Sequence, residues 1–391
     1  MLCAFACALL SAMLVLSVCN DGASAAQLPD VPGIRLTEAA VPSSVDGAPQ
    51  PIVVGVPEGY DPATPTPLLV GLHTWSSHYL QMVEPYAAQA AKRGWLLVCP
   101  HFRGPNLTSN PNATQAGGSI PAQHDIIDAI AHVRATQNVD ASRIYITGGS
   151  GGGHMTCLMV CKYPDVFAAA AAWCPITDLR AWHAQQNSYA AHVEAVCGGK
   201  PGDSPEVDFE YARRSPRTFI TNAANAHLLI GHGDKDYTIF VEQSWETYLR
   251  LKPLPAHGVV FQSWSAGHAD KAGEGLDWAS AFRLSAVPPQ RLDIVTDEAK
   301  SYFWLHLTPA DALTPGRCTA VLVRKGDTIA GDKTAAETTL TLTTEGLARV
   351  HVDLRALGLA SPRALPEGGA VEQEVLRLHP GAGKTELAIA F

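Results

Sequence analysis

Runs in which nearly every position is apolar alternate, over the first two thirds of the chain, with stretches whose apolar residues recur at helical spacing. Residues 51–56, 67–72, 95–99, 144–147, 167–173, 227–230 and 259–264 read as strands. The unbroken apolar character of 67–72 is what a strand covered on both faces requires. Helices are expected over 84–93, 154–163 and 241–251, and over 122–136, where Ile126, Ile127, Ile130 and Val133 fall on one face. Strands alternating with helices predict a mostly parallel sheet with helices on both sides. Residues before 51 read as a proline-rich lead, and 175–225 as an insertion without rhythm, of the kind that forms lids or pocket walls.

Beyond Pro288-Pro289 the texture changes. Short β-rich stretches at 291–295, 301–307, 319–323, 338–342 and 349–354 are split by turns, which predicts a small antiparallel module. The chain is therefore read as a leader at 1–25, an α/β domain at 26–285 and a β-rich accessory module at 286–391. The leader is apolar or small from 2 to 18 and ends in Ala23-Ser24-Ala25, the small-residue pattern of a cleavage site, although it lacks an early Lys or Arg. Export, to the periplasm or outside the cell, is the expectation; an N-terminal membrane anchor is the alternative.

Composition narrows the function. A chain of 391 residues with 47% hydrophobic and 17% charged positions has the means to build packed cores. A formal charge of -9 and the absence of any basic run argue against a nucleic-acid surface and for a small-molecule, peptide or acylated-carbohydrate substrate. Of nine cysteines, Cys3, Cys7 and Cys19 fall in the leader. Cys174 and Cys197, flanking a loop-rich segment, are the first disulfide pair to test. No Cys/His spacing reads as a zinc site, so no metal is expected.

One stretch carries chemistry. The β-branched run ending at Thr147 breaks into Gly148-Gly149-Ser150-Gly151-Gly152-Gly153, and a helical segment follows. Strand, sharp turn and helix around G-x-S-x-G leave a serine hydroxyl exposed where backbones approach closely. A glycine-rich phosphate cradle is the rival reading, but no Lys-Ser or Lys-Thr pair follows the glycines. A serine hydroxyl needs a base, and the base an orienting acid. Asp236 and His268 each follow a predicted strand end, and Ser, acid, His is the chain order of the α/β-hydrolase fold. Asp234 is the second choice for the acid. His154, on the serine's own helix, is a lesser candidate base, while His73 and His232 are read as supports for neighbouring turns.

The segment from Asp140-Ala141-Ser142-Arg143-Ile144 through Ser150 resembles the catalytic domain of the prolyl oligopeptidase family. So do Arg214-Ser215-Pro216, the run from His227 through Gly231-His232-Gly233-Asp234-Lys235-Asp236, and Ala266-Gly267-His268. The resemblance covers roughly residues 50–275. It implies an α/β-hydrolase fold, a Ser150, Asp236, His268 triad, an acyl-enzyme at Ser150 and no cofactor. An oxyanion hole would combine the backbone N–H of Gly151 with one from the His73-Thr74-Trp75 turn, namely Trp75. That turn replaces the His-Gly of many relatives, and no long propeller-like region is expected ahead of residue 51. Exported esterases acting on acylated sugars or feruloyl esters resemble the architecture equally well. Trp173, Trp182 and Arg103 are candidate substrate contacts, with core packing or salt bridging as their alternatives. A binding protein that keeps the fold without catalysis is the reading from another class.

Overall fold

Leu68, Val70 and Leu72 point into one hydrophobic cluster and Leu69 into another, so the strand they share is buried on both faces and leaves no polar position in its interior. The same holds along the centre of the sheet it belongs to. The computed structural model describes residues 27–185, 188–254, 258–324, 338–358, 373–378 and 386–390; the leader lies outside these. Its first part runs β1 (Ile34–Pro42), β2 (Pro49–Pro57), β3 (Thr66–Leu72), α1 (Val83–Arg93), β4 (Leu96–Pro100), α2 (Ile120–Thr136), β5 (Val139–Gly149), α3 (Gly151–Lys162) and β6 (Ala169–Trp173). Four short helices follow, α4 (Leu179–Ala184), α5 (Ala190–Cys197), α6 (Pro205–Arg213) and α7 (Pro216–Phe219). Then come β7 (His227–Gly233), α8 (Glu242–Leu249), β8 (Gly258–Trp264) and α9 (Ala272–Ala279).

These strands form one sheet in the order β1-β2-β4-β3-β5-β6-β7-β8, with β1 and β2 antiparallel at one edge and β3 to β8 parallel. Helices α1 and α9 cover the face carrying Leu69, Leu97 and Tyr145, and α2 and α3 cover the face carrying Val70 and Ile146. This is the α/β-hydrolase fold expected from the sequence. Register fixes the rim: Leu72 pairs with Gly148, Gly149 with Trp173, Trp173 with Gly231 and Gly233 with Trp264. The residues just beyond, His73, Ser150, Cys174, Asp236 and His268, therefore leave the sheet from one edge, where open parallel sheets bind ligands.

Several features depart from the sequence reading. The proline-rich lead holds strand β1, which pairs with all of β2. The insertion is helical, with Asp178 and Ser204 accepting hydrogen bonds from the N–H groups of Ala181 and Val207 as N-caps. Cys174 and Cys197 are both buried free thiols and form no disulfide, since Cys174 lies at the rim while Cys197 packs with Val193 and Val196. No helix among the described residues is long and apolar enough to cross a membrane.

Beyond α9 the chain builds β9 (Arg291–Thr296), β10 (Lys300–Tyr302), β11 (Leu305–Pro309), β12 (Gly316–Val323), β13 (Thr338–Glu345), β14 (Leu347–Asp353), β15 (Gln373–Leu378) and β16 (Glu386–Ala390). Two antiparallel sheets, β10-β11-β14-β16 and β15-β13-β12-β9, share a core that includes Leu292, Ile294, Leu307, Leu322, Leu340 and Val352. This sandwich is fastened to the first part through Asp297. Its carboxylate pairs with Lys162 at the end of α3 and, at 3.0 Å, with Arg213. Asn222 adds a two-way backbone clasp on Val295, at 2.9 and 2.7 Å.

Candidate active site

Ser150 sits between β5 and α3 with φ 58° and ψ −119°, a region in which a residue with a Cβ is strained. Its N–H donates to Trp173 O at 2.8 Å and its carbonyl accepts from His154 N at 2.8 Å. The flanking glycines are required by contact: a Cβ on Gly148 would lie 2.5 Å from the Gly152 carbonyl carbon, and one on Gly152 would lie 2.7 Å from Leu72 O. The sharp turn thus holds the half-buried Ser150 side chain at the head of α3.

Gly151 opens α3, so its N–H has no intrahelical partner. A Cβ there would lie 2.3 Å from Trp75 N, so the Gly151 and Trp75 backbones are in close contact. No described residue accepts a hydrogen bond from either. The Trp75 turn is braced by His73, whose ring nitrogens contact Thr74 O at 2.8 Å and His101 O at 2.6 Å. Burial lowers the His73 pKa to about 4, so the ring is neutral and donates to one of the two carbonyls. Asn106 N bonds Trp75 O at 2.9 Å from the other side.

The candidate acid stands beyond β7. Asp236 Oδ1 accepts from the N–H groups of Thr238 at 2.8 Å and Ile239 at 3.0 Å, and Oδ2 from His268 Nδ1 at 2.6 Å. His232 Nε2 lies 3.3 Å from Oδ2 and 2.8 Å from Ile239 O, and its Nδ1 meets Ser244 Oγ at 2.7 Å. Burial alone would raise the Asp236 pKa. Hydrogen bonds from His232, His268 and Ile239 outweigh it and hold the carboxyl well below its usual range. Asp234 is exposed. For His268 burial works against the charged ring, but the bond to Asp236 and then the contact with the Cys174 sulfur prevail, lifting its pKa to about 9.

How the imidazole leaves the end of β8 is set by the segment that follows. Lys235 N bonds Ala266 O at 2.8 Å over β7, Cys174 Sγ donates to Ala269 O at 3.1 Å over β6, and Asp270 Oδ2 lies 3.4 Å from where a Cβ on Gly149 would stand. Residues 266–270 therefore cross the strand ends from β7 toward β5 and Ser150. Ser150 Oγ and His268 make no hydrogen bond with each other.

Several expected site residues lie elsewhere. Arg103 is buried and its guanidinium is spent on Asp125 at 2.6 Å, Asp46 at 2.8 Å and Gln115 at 2.7 Å, so it is not free for a substrate carboxylate. Trp173 has no exposed surface and packs edge-on to Trp264. Trp182 is equally buried, donating Nε1 to Thr238 O at 2.9 Å and meeting Trp75 edge-on. Neither indole presents a face to a ligand, because Trp173 packs between the sheet and α9 and Trp182 packs among the inserted helices. His154 is buried with Nε2 on Arg214 O at 2.7 Å, away from any base role.

Sequence reasoning missed Cys174. It follows β6 as Ser150 follows β5, with a positive φ of 43°, and its position at a predicted strand end was the available signal. Donor atoms of Cys174, His232 and Asp236 lie within 4.8 Å of one another, the spacing of a metal site. Both nitrogens of His232 and both oxygens of Asp236 are engaged by protein hydrogen bonds, so the cluster reads as a hydrogen-bonded scaffold.

The model of the prolyl oligopeptidase family matches residues 82–270, which takes in Ser150, Asp236 and His268. The uncharacterized peptidase YtmA of Bacillus subtilis is 29% identical over 174 residues, 44% of this chain and 65% of that protein. A probable acetylxylan esterase A of Neosartorya fischeri is 25% identical over 191 residues, 47% of this chain and 50% of that protein. The chain thus spans between half and two thirds of these relatives. A puromycin-hydrolyzing peptidase of Mycobacterium tuberculosis shares the fold, with a TM-score of 0.51 at 20% identity over 63% of this chain and 38% of that one.

Proposed function

We propose that this chain, whose residues 82–270 are a domain of the prolyl oligopeptidase family, is a serine hydrolase that cleaves carboxylic esters through an acyl-enzyme at Ser150. Ser150 Oγ attacks the carbonyl carbon while His268 Nε2 takes its proton. The oxyanion that forms is held by the N–H groups of Gly151 and Trp75, two residues whose backbones are in contact and whose N–H groups no described residue claims. His268 then returns the proton to the leaving oxygen, and water attacks the acyl-enzyme by the same route reversed.

The observation that carries this reading is the 2.6 Å bond from His268 Nδ1 to an Asp236 carboxylate that is itself fixed by two backbone N–H groups. Such a carboxylate selects the tautomer that leaves Nε2 able to accept a proton, and stabilises the imidazolium that results. Export, proposed from the leader alone, would place the reaction outside the cytoplasm. Similarity to a protein named as a peptidase makes amide cleavage the second reading. A panel of acetylated sugars, feruloyl esters and proline-containing peptide amides decides between them. Ester turnover that vanishes in Ser150→Ala supports the proposal; turnover of amides alone overturns its ester part, and Ser150-independent turnover overturns the whole.

A further inference from the structure

A second concavity lies on the same rim, on the oxyanion side of Ser150. It encloses 540 Å³ between the start of β2 and the loop after β4. Pro51 O accepts from His101 N at 3.1 Å and Ile52 pairs with Pro100, so its floor is the end of the sheet itself. In the strand order β4 is separated from β5 only by β3, which places the cavity roughly 10 Å from the serine's strand at ordinary strand spacing. His101 connects the two places directly, since its carbonyl holds the His73 ring that braces the Trp75 turn.

The polar groups facing this cavity are unlike those of a salt-bridged surface. Gln50 lines the cavity, and its side-chain amide makes no hydrogen bond with a described residue, so the amide is open to whatever occupies the space. His101 has a buried Nδ1 without a partner. Gln115 spends its oxygen on Arg103 and keeps its NH₂ free, and the exposed Asn112 amide is unengaged. A buried ring nitrogen left unpaired, as His101 Nδ1 is, costs about 1–3 kcal/mol, which a ligand or water supplying the missing bond recovers. Charges are present but internally settled, because Arg103 is bound to both Asp46 and Asp125, which leaves the trio net negative. Burial lowers the His101 pKa to about 4, so that ring is also neutral near pH 7. The remaining walls, Ala48, Pro49 and Pro51, are apolar.

From this set of uncommitted neutral donors and acceptors beside apolar walls, we propose that the cavity is a subsite for a neutral, hydroxyl-rich group, the sugar ring of an acylated carbohydrate. An anion would meet a net negative trio, and a purely apolar group would leave the amides unpaired. Hydroxyls match both the donors and the acceptors, and the C–H faces of a sugar match the prolines. This rests on the ester hydrolase reading of Ser150 and names the class of alcohol that the site accepts: a short oligosaccharide esterified at Ser150 lays its next rings in the cavity.

The test uses the full chain with acetylated xylotetraose and 4-nitrophenyl acetate, the second too small to reach the cavity. Gln50→Leu is expected to lower the ratio of kcat/KM for the saccharide to kcat/KM for the nitrophenyl ester about fivefold, the loss of one to two hydrogen bonds. Asn112→Ala, at an exposed position that threatens no packing, lowers the same ratio in the same direction. Ratios unchanged within about twofold in both variants overturn the subsite, as does a wild type that cleaves the nitrophenyl ester but shows no preference for the saccharide. Calorimetric titration with unacetylated xylotetraose reads binding apart from catalysis. Saturable binding weakened by Gln50→Leu supports the subsite even if Ser150 proves inert, and no binding to the wild type overturns it.

Discussion

Lys162 and Asp297 form an ion pair in which neither side chain has any exposed surface. Lys162 closes the helix that begins after Ser150, so this pair ties the serine's own helix to the C-terminal sandwich. Two cations, Lys162 and Arg213, face the one carboxylate. Burial would raise the Asp297 pKa; these cations lower it. Its contribution to stability is therefore present above the ordinary carboxylate value of 3.8 and is lost as pH falls through the lower folded value.

Asp297→Ala leaves the Lys162 ammonium buried without a partner and should cost about 3–5 kcal/mol. Urea unfolding of the variant checks this, with Lys162→Met/Asp297→Leu expected to recover most of the loss. If the single variant costs under about 1 kcal/mol, the pair does not bear on stability as argued here.

Asp236 and Asp234 stand two residues apart, but only the first reaches His268. Asp236→Asn should keep the fold and lower kcat about 10⁴-fold, because the amide favours the wrong tautomer of the ring. Asp234→Asn should stay within about threefold of wild type, as expected of an exposed carboxylate. Steady-state kinetics on one activated ester distinguishes them, and a reversed order reassigns the acid.

His268 sets opposite pH trends for activity and stability. Its pKa is raised from 6.5 to about 9, and a base must be neutral to act, so kcat/KM should climb with pH and level off above about 9. The folding contribution of the same ring is complete below 6.5 and disappears as pH rises through 9. Cys174→Ala removes one of the contacts that raise this pKa and should move the limb to lower pH, while Cys174→Ser, which keeps an acceptor for the charged ring, should restore part of it. A wild-type limb centred near 6.5 contradicts this account of the ring.

Gly151 has no room for a side chain. Gly151→Ala would force the Trp75 turn away and pull apart the two N–H groups, which should lower kcat about 10²- to 10³-fold with a much smaller change in KM. A variant whose loss lies wholly in KM would place the role of this turn in ground-state binding.

What the sequence made legible follows from burial. The parallel strands at Thr66–Leu72, Leu96–Pro100 and His227–Gly233 are apolar on both faces and stand out as continuous runs. Strand β1 did not, because it is an edge strand with polar Arg35, Thr37 and Glu38 facing outward between prolines. Helix α9 was hidden by its glycines: Gly275 is there because a Cβ would meet the Trp173 ring at 2.5 Å, a tertiary requirement that no local propensity reveals. The Ser150 turn and the strand ends leading to Asp236 and His268 could be read because glycine placement and strand order are sequence properties. That Trp173 and Trp182 are buried, and that Arg103 is taken up by Asp46 from far along the chain, depends on packing alone.

Treating the folded chain with a fluorophosphonate and mapping the adduct by mass spectrometry shows whether Ser150 is an activated nucleophile. One covalent label is expected on the peptide carrying Ser150, absent in Ser150→Ala and strongly slowed in Asp236→Asn. An unlabelled wild type, or a label on another residue, would contradict that role.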